Sequence, residues 1–210
     1  IPKLVELLEE RGIKILAIQA GKIDGLTAHV RRPQKTSLPV IVINESDWAE
    51  RKRFNLAHEL GHLMLEPGSK VDAEKAAHRF AGAFLMPADA LWSEIGKHRK
   101  SISLGELYKL KQLFGASLQA ITYRCKDLGI INQSLFRQLF NIFEQKGWRS
   151  PPYKELGALP PYLEESSRME RLCFRALAEG AISESKVAEL LEISVRELNE
   201  KMDHPEAAVG

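Results

Sequence analysis

Cysteine is scarce in this 210-residue chain: Cys125 and Cys173 are the only two, far apart and outside any CxxC spacing. That excludes a disulfide scaffold and a thiolate zinc site, and both thiols are expected reduced and partly buried. An excess of charge is also missing, with Lys+Arg 30 against Asp+Glu 28 and a formal net charge of +2. The chain is therefore not a polyelectrolyte. No apolar run approaches the ~18 to 20 residues that a bilayer demands, and the opening IPKLVELLEERG is an amphipathic helix, not a signal peptide. The expected location is the cytoplasm. Hydrophobic residues at 44% rule out disorder as the main state and suffice for one good core or two small ones. The first residue is Ile1, which reads as a fragment or a processed chain.

Leu4, Val5, Leu7 and Leu8 form one face of a first helix that Gly12 ends, and Ile13 to Ile18 then reads as a strand. Gly21 and Gly25 punctuate the next stretch. Thr27 to Arg31 can form a second strand, and the β-branched run from Pro39 to Asn44, bounded by proline and by a turn at Asn44 to Asp47, gives a third. From Asp47 to Leu65 the apolar period becomes helical, until Pro67-Gly68 stops it. Asp72 or Ser69 caps the next helix, which Pro87 ends near Met86; its Ala76, Ala77, Ala81, Gly82 and Ala83 permit close approach of a neighbouring helix.

Beyond Pro87 the pattern is wholly helical. Leu104–Leu113 and Leu118–Leu128, joined through Gly115, carry a helix-turn-helix signature, and a third helix runs around Ser134 to Gln145. The expected fold class is α+β: a small three-stranded sheet, mixed or antiparallel, packed on the 47–65 helix, then an all-helical region with helix-turn-helix-like pairs. Residues 1–148 read as one domain, including the helix-turn-helix-like part at about 101–130. Residues 149–162 read as a proline-rich linker and 163–210 as a helical segment with a second such pair around Ser183 to Met202.

The chemistry is concentrated in His58-Glu59-Leu60-Gly61-His62, an HExxH inside a helix. Histidines at i and i+4 share a face, so both imidazoles can reach one zinc ion at ~2.0 to 2.1 Å. Glu59 is rotated off that line, beside the metal and free to act as general base toward water. A surface or core reading of the histidines fits poorly with Leu56, Ala57, Leu60, Leu63 and Met64 around them, because partly buried imidazoles need partners. A hydrolytic zinc site needs a third protein ligand. Glu66, Asp72, Glu74 and His78 all lie within 16 residues after His62. Glu66 sits at a helix end, and three ligands in line on one helix cannot converge. Glu74 shares a face of the next helix with Ala77, His78 and Ala81, and a hairpin through Pro67-Gly68 folds that face onto the HExxH helix. His78 is either the alternative third ligand or a partner holding Glu74, the second being favoured.

The segments Arg53-Phe-Asn-Leu-Ala-His-Glu-Leu-Gly-His-Leu-Met-Leu65, Glu74-Lys-Ala-Ala-His-Arg-Phe-Ala81 and Phe84-Leu-Met-Pro87 resemble the ImmA/IrrE family of gluzincin-like zinc metallo-endopeptidases, over about residues 1 to 150. The resemblance implies Zn2+ held by His58, His62 and Glu74, with Glu59 as the base. His78 stands where many members carry Asn, which leaves its role open. It also implies a protein substrate, a DNA-binding helix-turn-helix repressor or another transcriptional regulator. Many members carry an N-terminal XRE-type helix-turn-helix, which would fit a missing start.

Tyr123, and with it Arg124, could point into the cleft as a donor to a tetrahedral oxyanion, although packing of that helix is the favoured reading. Gln119, Thr122, Arg124 and Lys126 would face a DNA groove, but no dense basic face accompanies them, so DNA contact is not the main expectation. Lys97 to Lys100 reads as a solvated loop and Arg51 to Arg53 as the polar face of the zinc helix. The rival to the enzyme is a non-proteolytic transcriptional regulator that keeps the zinc fold as a structural or sensing module. Glu59 speaks for the enzyme, since a structural site needs no base. Val40 to Asn44 is expected either as an exposed edge that aligns substrate backbone or as a central strand covered on both faces.

Overall fold

The computed structural model describes residues 3–19, 24–33, 35–45, 47–150, 155–157, 159–160, 164 and 167–203. Gly21, Pro151, Pro152 and Pro161, expected as turn and linker signals, lie outside them. The chain forms two compact units, Ile1–Glu165 and Ser166–Gly210.

The first unit is α+β. Helix α1 (Leu4–Glu10) buries Leu4, Val5 and Leu8 and leads into strand β1 (Lys14–Ile18). Strands β2 (Gly25–Arg32) and β3 (Lys35–Asn44) form an antiparallel hairpin, registered from Gly25 opposite Ile43 to Arg32 opposite Lys35, with an irregularity between Val30 and Arg32. Strand β1 adds in parallel, Lys14 opposite Val40 through Ile18 opposite Asn44, so the order is β1-β3-β2 and the sheet is mixed.

The central position of β3 decides between the two readings of Val40–Asn44: this strand is paired on both sides and offers no edge to a substrate. Its length also corrects the boundary expected at Pro39. Strand β3 runs through this proline, which pairs with His29 of β2 on one side while β1 begins only opposite Val40 on the other. Alternation sorts the side chains: Ile15, Ile41 and Ile43 face the helices and are buried, while Leu16 and Ile18 face outward and are exposed.

Helix α2 (Ala49–Met64) packs its Leu56, Ala57 and Leu60 into the core on the buried face of the sheet. Burying each of the two leucines is worth about 1.5 to 3 kcal/mol. Helix α3 (Ala73–Leu85), capped by the Asp72 side chain accepting from the Lys75 N–H, lies against α2 with Ala77 and Ala81 at the contact. Helices α4 (Ala88–Ile95), α5 (Leu104–Phe114), α6 (Leu118–Asp127) and α7 (Gln133–Gln145) complete the same core through Leu91, Leu107, Ile121 and Phe143. Ser103 and Glu106 form a reciprocal capping box at α5, and Ser117 caps α6. Gly115, at φ 64°, makes the turn between them against the Arg53 guanidinium, whose Nε donates to its carbonyl.

Part of the proline-rich stretch expected as a linker is tied to this unit. Glu155 accepts from the Leu118 and Gln119 N–H groups at the start of α6, and Lys111 bridges it to Glu50, all three side chains being buried. Leu159 is buried and donates its N–H to Glu50. Glu164 caps α1 by accepting from Leu4 and Val5 and pairs with buried Arg53. These carboxylates supply partners for helix-end donors and for two buried cations, which a free connection could not do.

The second unit is a three-helix assembly of α8 (Arg168–Ala178), α9 (Glu184–Leu191) and α10 (Val195–Asp203) around Cys173, Val187 and Leu198. Ser183 caps α9, and Ser194 and Glu197 hold the start of α10 by reciprocal hydrogen bonds. Between them Glu192 takes the left-handed conformation, φ 56°. No helix among the described residues is long and apolar enough to cross a membrane.

Candidate metal centre and its cleft

One stripe of α2 builds the site. Arg51, Asn55, His58 and His62 recur at helical spacing and all line a cavity of about 730 Å³ bounded by α2, the start of β2, Glu74 and His78 of α3, and the start of α6. His58 and His62 present their Nε2 atoms to each other at 3.1 Å. Glu74, carried in by α3, places one carboxylate oxygen 3.2 Å from His58 Nε2 and the other 3.3 Å from His62 Nε2. These three residues form a group able to hold a metal ion, the only one among the described residues.

The spacing itself fits a metal. At bond lengths of about 2.0 to 2.2 Å, a tetrahedral centre separates its ligand atoms by roughly 3.3 to 3.6 Å. The observed separations of 3.1, 3.2 and 3.3 Å lie at or just below that range. Two imidazoles and a carboxylate are also the donor set of a hydrolytic site with one position left open. Burial, with His78 and His62 nearby, pushes His58 below the ordinary histidine range, which favours the neutral, ligating form. Its buried Nδ1 has no hydrogen-bond partner among the described residues; packing holds the ring, 4.7 Å from that of His62 and 4.4 Å from that of His78.

Glu59 lines the same cavity from the next position on the helix. It is buried to 7% exposure, and that burial holds its carboxyl above the ordinary glutamate range, with the Glu74 charge adding to the effect and His62 opposing it. Gly25, at the start of β2, makes the room: a Cβ there would lie 2.7 Å from Glu59 Oε1 and 3.0 Å from its Cγ. A carboxyl raised in this way, beside a metal group and open to a cavity, is suited to taking and returning a proton.

The other candidates separate. His78 flanks His58 but lies outside the convergent group, and Glu66 is exposed beyond the end of α2. Tyr123 is not among the residues lining the metal cleft. Its ring packs edge-on against Phe136 and Phe140, and it lines a neighbouring groove instead. The residues that α6 would offer to DNA are used inside the fold. Thr122 is buried and bonded to the Leu118 carbonyl, Gln119 donates to Trp148 and Glu155, Arg124 donates to the Met86 carbonyl, and Lys126 stands over the Phe136 ring.

Sequence reasoning missed Asp24, Gly25, Asn55 and Glu155 in the cleft. Asn55 donates to the Asp24 carbonyl and to Asp47, while Arg51 pairs with Asp24 and Asp47, so this network fastens the start of β2 to α2. Asn55 could have been found, being i−3 from His58 on the same helical face; Asp24 and Glu155 sit in irregular segments that carry no period.

A comparison with protein families matches residues 8–126 to the IrrE N-terminal-like domain, a peptidase family. No curated protein matches the chain. The matched segment is more than half of the chain and holds His58, Glu59, His62 and Glu74 together with the sheet that backs them, and on that ground the chain belongs to the IrrE N-terminal-like peptidase family.

Proposed function

We propose that the chain is a zinc-dependent endopeptidase that cuts a protein substrate inside the cell, a DNA-binding helix-turn-helix repressor or a related transcriptional regulator. The observation that carries this reading is the convergence of His58, His62 and Glu74 within 3.3 Å of one another beside a buried Glu59.

When bound, zinc polarises a peptide carbonyl and acidifies water. His58, His62 and Glu74 would hold it. Glu59 takes the proton of the attacking water and returns it to the departing amine nitrogen, a role its raised carboxyl suits. Gly25 keeps the space in which that carboxyl moves. Strand β2 is an edge of the sheet, and its residues Gly25 to Thr27 line the cleft, so an extended substrate segment can align against main-chain groups there without a demand on its side chains. This moves the docking edge from β3 to β2. A flexible linker can enter such an edge; a folded surface cannot.

The test is incubation of the zinc-loaded chain with the regulator encoded beside its gene, with native albumin and with denatured casein. Discrete cleavage of the regulator, resistance of native albumin, loss of cutting with a chelator and recovery with zinc are expected. An intact regulator and intact casein under metal-loaded conditions would overturn the proposal.

A further inference from the structure

Helix α2 packs on the face of the sheet that carries Ile15, Ile41 and Ile43, and the register turns the alternate residues of the strands the other way. Leu16 of β1 and Leu26 of β2 stand on either side of Val42 of β3, in one row across this outward face. Ile18 extends the row toward the end of β1, and Val30, opposite Leu38, extends it the other way along β2. These side chains stay uncovered: Leu16 is 44% exposed, Ile18 42%, Leu26 39% and Val30 47%. Together they show roughly 300 Å² of aliphatic surface, a size at which such patches often serve binding. The one charge of β1, Lys14, is paired with Glu9 at 3.9 Å, so an apolar partner meets no lone cation there.

Two observations bear on what covers this face. Leu26 belongs both to it and to the lining of the metal cleft, so the patch continues into the cleft around the β2 edge. Its area falls well short of the ~800 Å² that each partner of a stable complex buries. A second copy of the chain meeting this face alone would gain too little, whereas a protein that also fills the cleft supplies the missing contact.

We propose that the outward face of the sheet is a docking surface for the folded part of the protein substrate, which sets aliphatic residues against Leu16, Ile18 and Val30 while its flexible segment lies along Gly25–Thr27. A folded surface cannot enter the cleft, but it can rest on the face that adjoins it. The face adds affinity for the intact substrate and leaves the chemistry to the metal cleft. The inference rests on the peptidase reading for the identity of the partner, and its test includes a binding measurement that needs no turnover.

The probes are the regulator encoded beside the gene and a short synthetic peptide spanning its cut site. The double variant Leu16→Thr with Val30→Thr keeps β-forming residues and removes apolar surface; Ile18→Lys is a second, independent variant. With zinc content and circular dichroism unchanged, KM for the intact regulator rises about 10-fold or more, the scale of losing central contacts of an interface. For the peptide, kcat/KM stays within about 2-fold of wild type, since the peptide has no folded part to dock. Calorimetric binding of the intact regulator to the zinc-loaded Glu59→Gln chain weakens by the same factor when the face is substituted. Equal losses on regulator and peptide, no loss on either, no binding of the regulator by the Glu59→Gln chain, or a dimer of the wild-type chain in sedimentation that the substitutions abolish overturns the proposal. Face-dependent binding without cleavage of regulator or peptide keeps the docking surface and removes the peptidase; cleavage indifferent to the face does the reverse.

Discussion

Gly61, inside the HExxH motif, lies at a tight approach of α2 and α3, and replacing it tests how Glu74 is placed. A Cβ there would lie 3.1 Å from Ala77 Cα, 3.1 Å from Phe80 Cδ1 and 3.3 Å from Ala77 Cβ. On helix propensity alone, Gly61→Ala gains about 1 kcal/mol. The contacts oppose this: non-bonded carbons settle at about 3.5 to 4.0 Å, so α3 must withdraw from α2 by roughly 0.5 Å. Such overpacking costs about 1 to 3 kcal/mol, which leaves the metal-free variant between unchanged and about 2 kcal/mol less stable.

The larger effect falls on the metal. Glu74 sits three residues before Ala77 on α3, whereas His58 and His62 sit on α2, so withdrawal of α3 separates the ligands. Ligand distances must hold within about 0.2 Å, and a shift of roughly 0.5 Å exceeds that tolerance. We expect zinc affinity to fall by about 10- to 100-fold although no ligand has been replaced. Competition against a chromogenic chelator reads the affinity, and circular dichroism confirms the fold. Unchanged affinity in a folded Gly61→Ala variant would refute the claim that this helix contact positions Glu74.

Elemental analysis should find about one zinc per chain in the wild type, in Glu66→Gln and in His78→Ala, and little in Glu74→Gln; the opposite pattern would move the third ligand. Glu192 occupies the left-handed region at φ 56°, a conformation that costs a side chain about 1 kcal/mol, so Glu192→Gly should raise the unfolding free energy of the second unit by about that much in a denaturant titration. A loss of stability would show that the glutamate side chain does more than mark a turn. Backbone and side-chain hydrogen bonds from Ser103, with Arg99, hold the Glu106 carboxyl below the usual carboxylate range. Since the folded value is the lower one, the stability it contributes is complete above the ordinary glutamate range and disappears as pH falls through the folded value. Glu106→Gln should therefore be less stable than wild type at neutral pH and equal to it in acid; a difference that persisted in acid would contradict the cap.

Much of the site was legible because it lies on helices, where spacing fixes direction. His58, Glu59 and His62 follow from the period of α2, and the alanines of α3 announce the close approach that brings Glu74 to them. The caps at Asp72, Ser103 and Ser117 follow from residue type. Strand order did not follow. Val40 to Ile43 suits an edge or a centre equally well until β1 and β2 are seen on either side of it, and only then does the proposed docking edge move to Gly25–Thr27. Glu155 and Glu164 were hidden for a different reason. Their partners, Lys111 and Arg53, are 44 and 111 residues away, and a tract rich in proline and glycine gives no sign that its glutamates will be buried.

The central claim, that Glu59 performs proton transfer at a metal site built by its neighbours, is tested most directly by Glu59→Gln in a protein loaded with zinc. The substitution keeps the size of the side chain and the three ligands. The account predicts wild-type zinc content, wild-type circular dichroism and cleavage of the regulator slowed by about 100-fold or more, the scale of a lost general acid–base. Cleavage at the wild-type rate by the folded, zinc-loaded variant would contradict it.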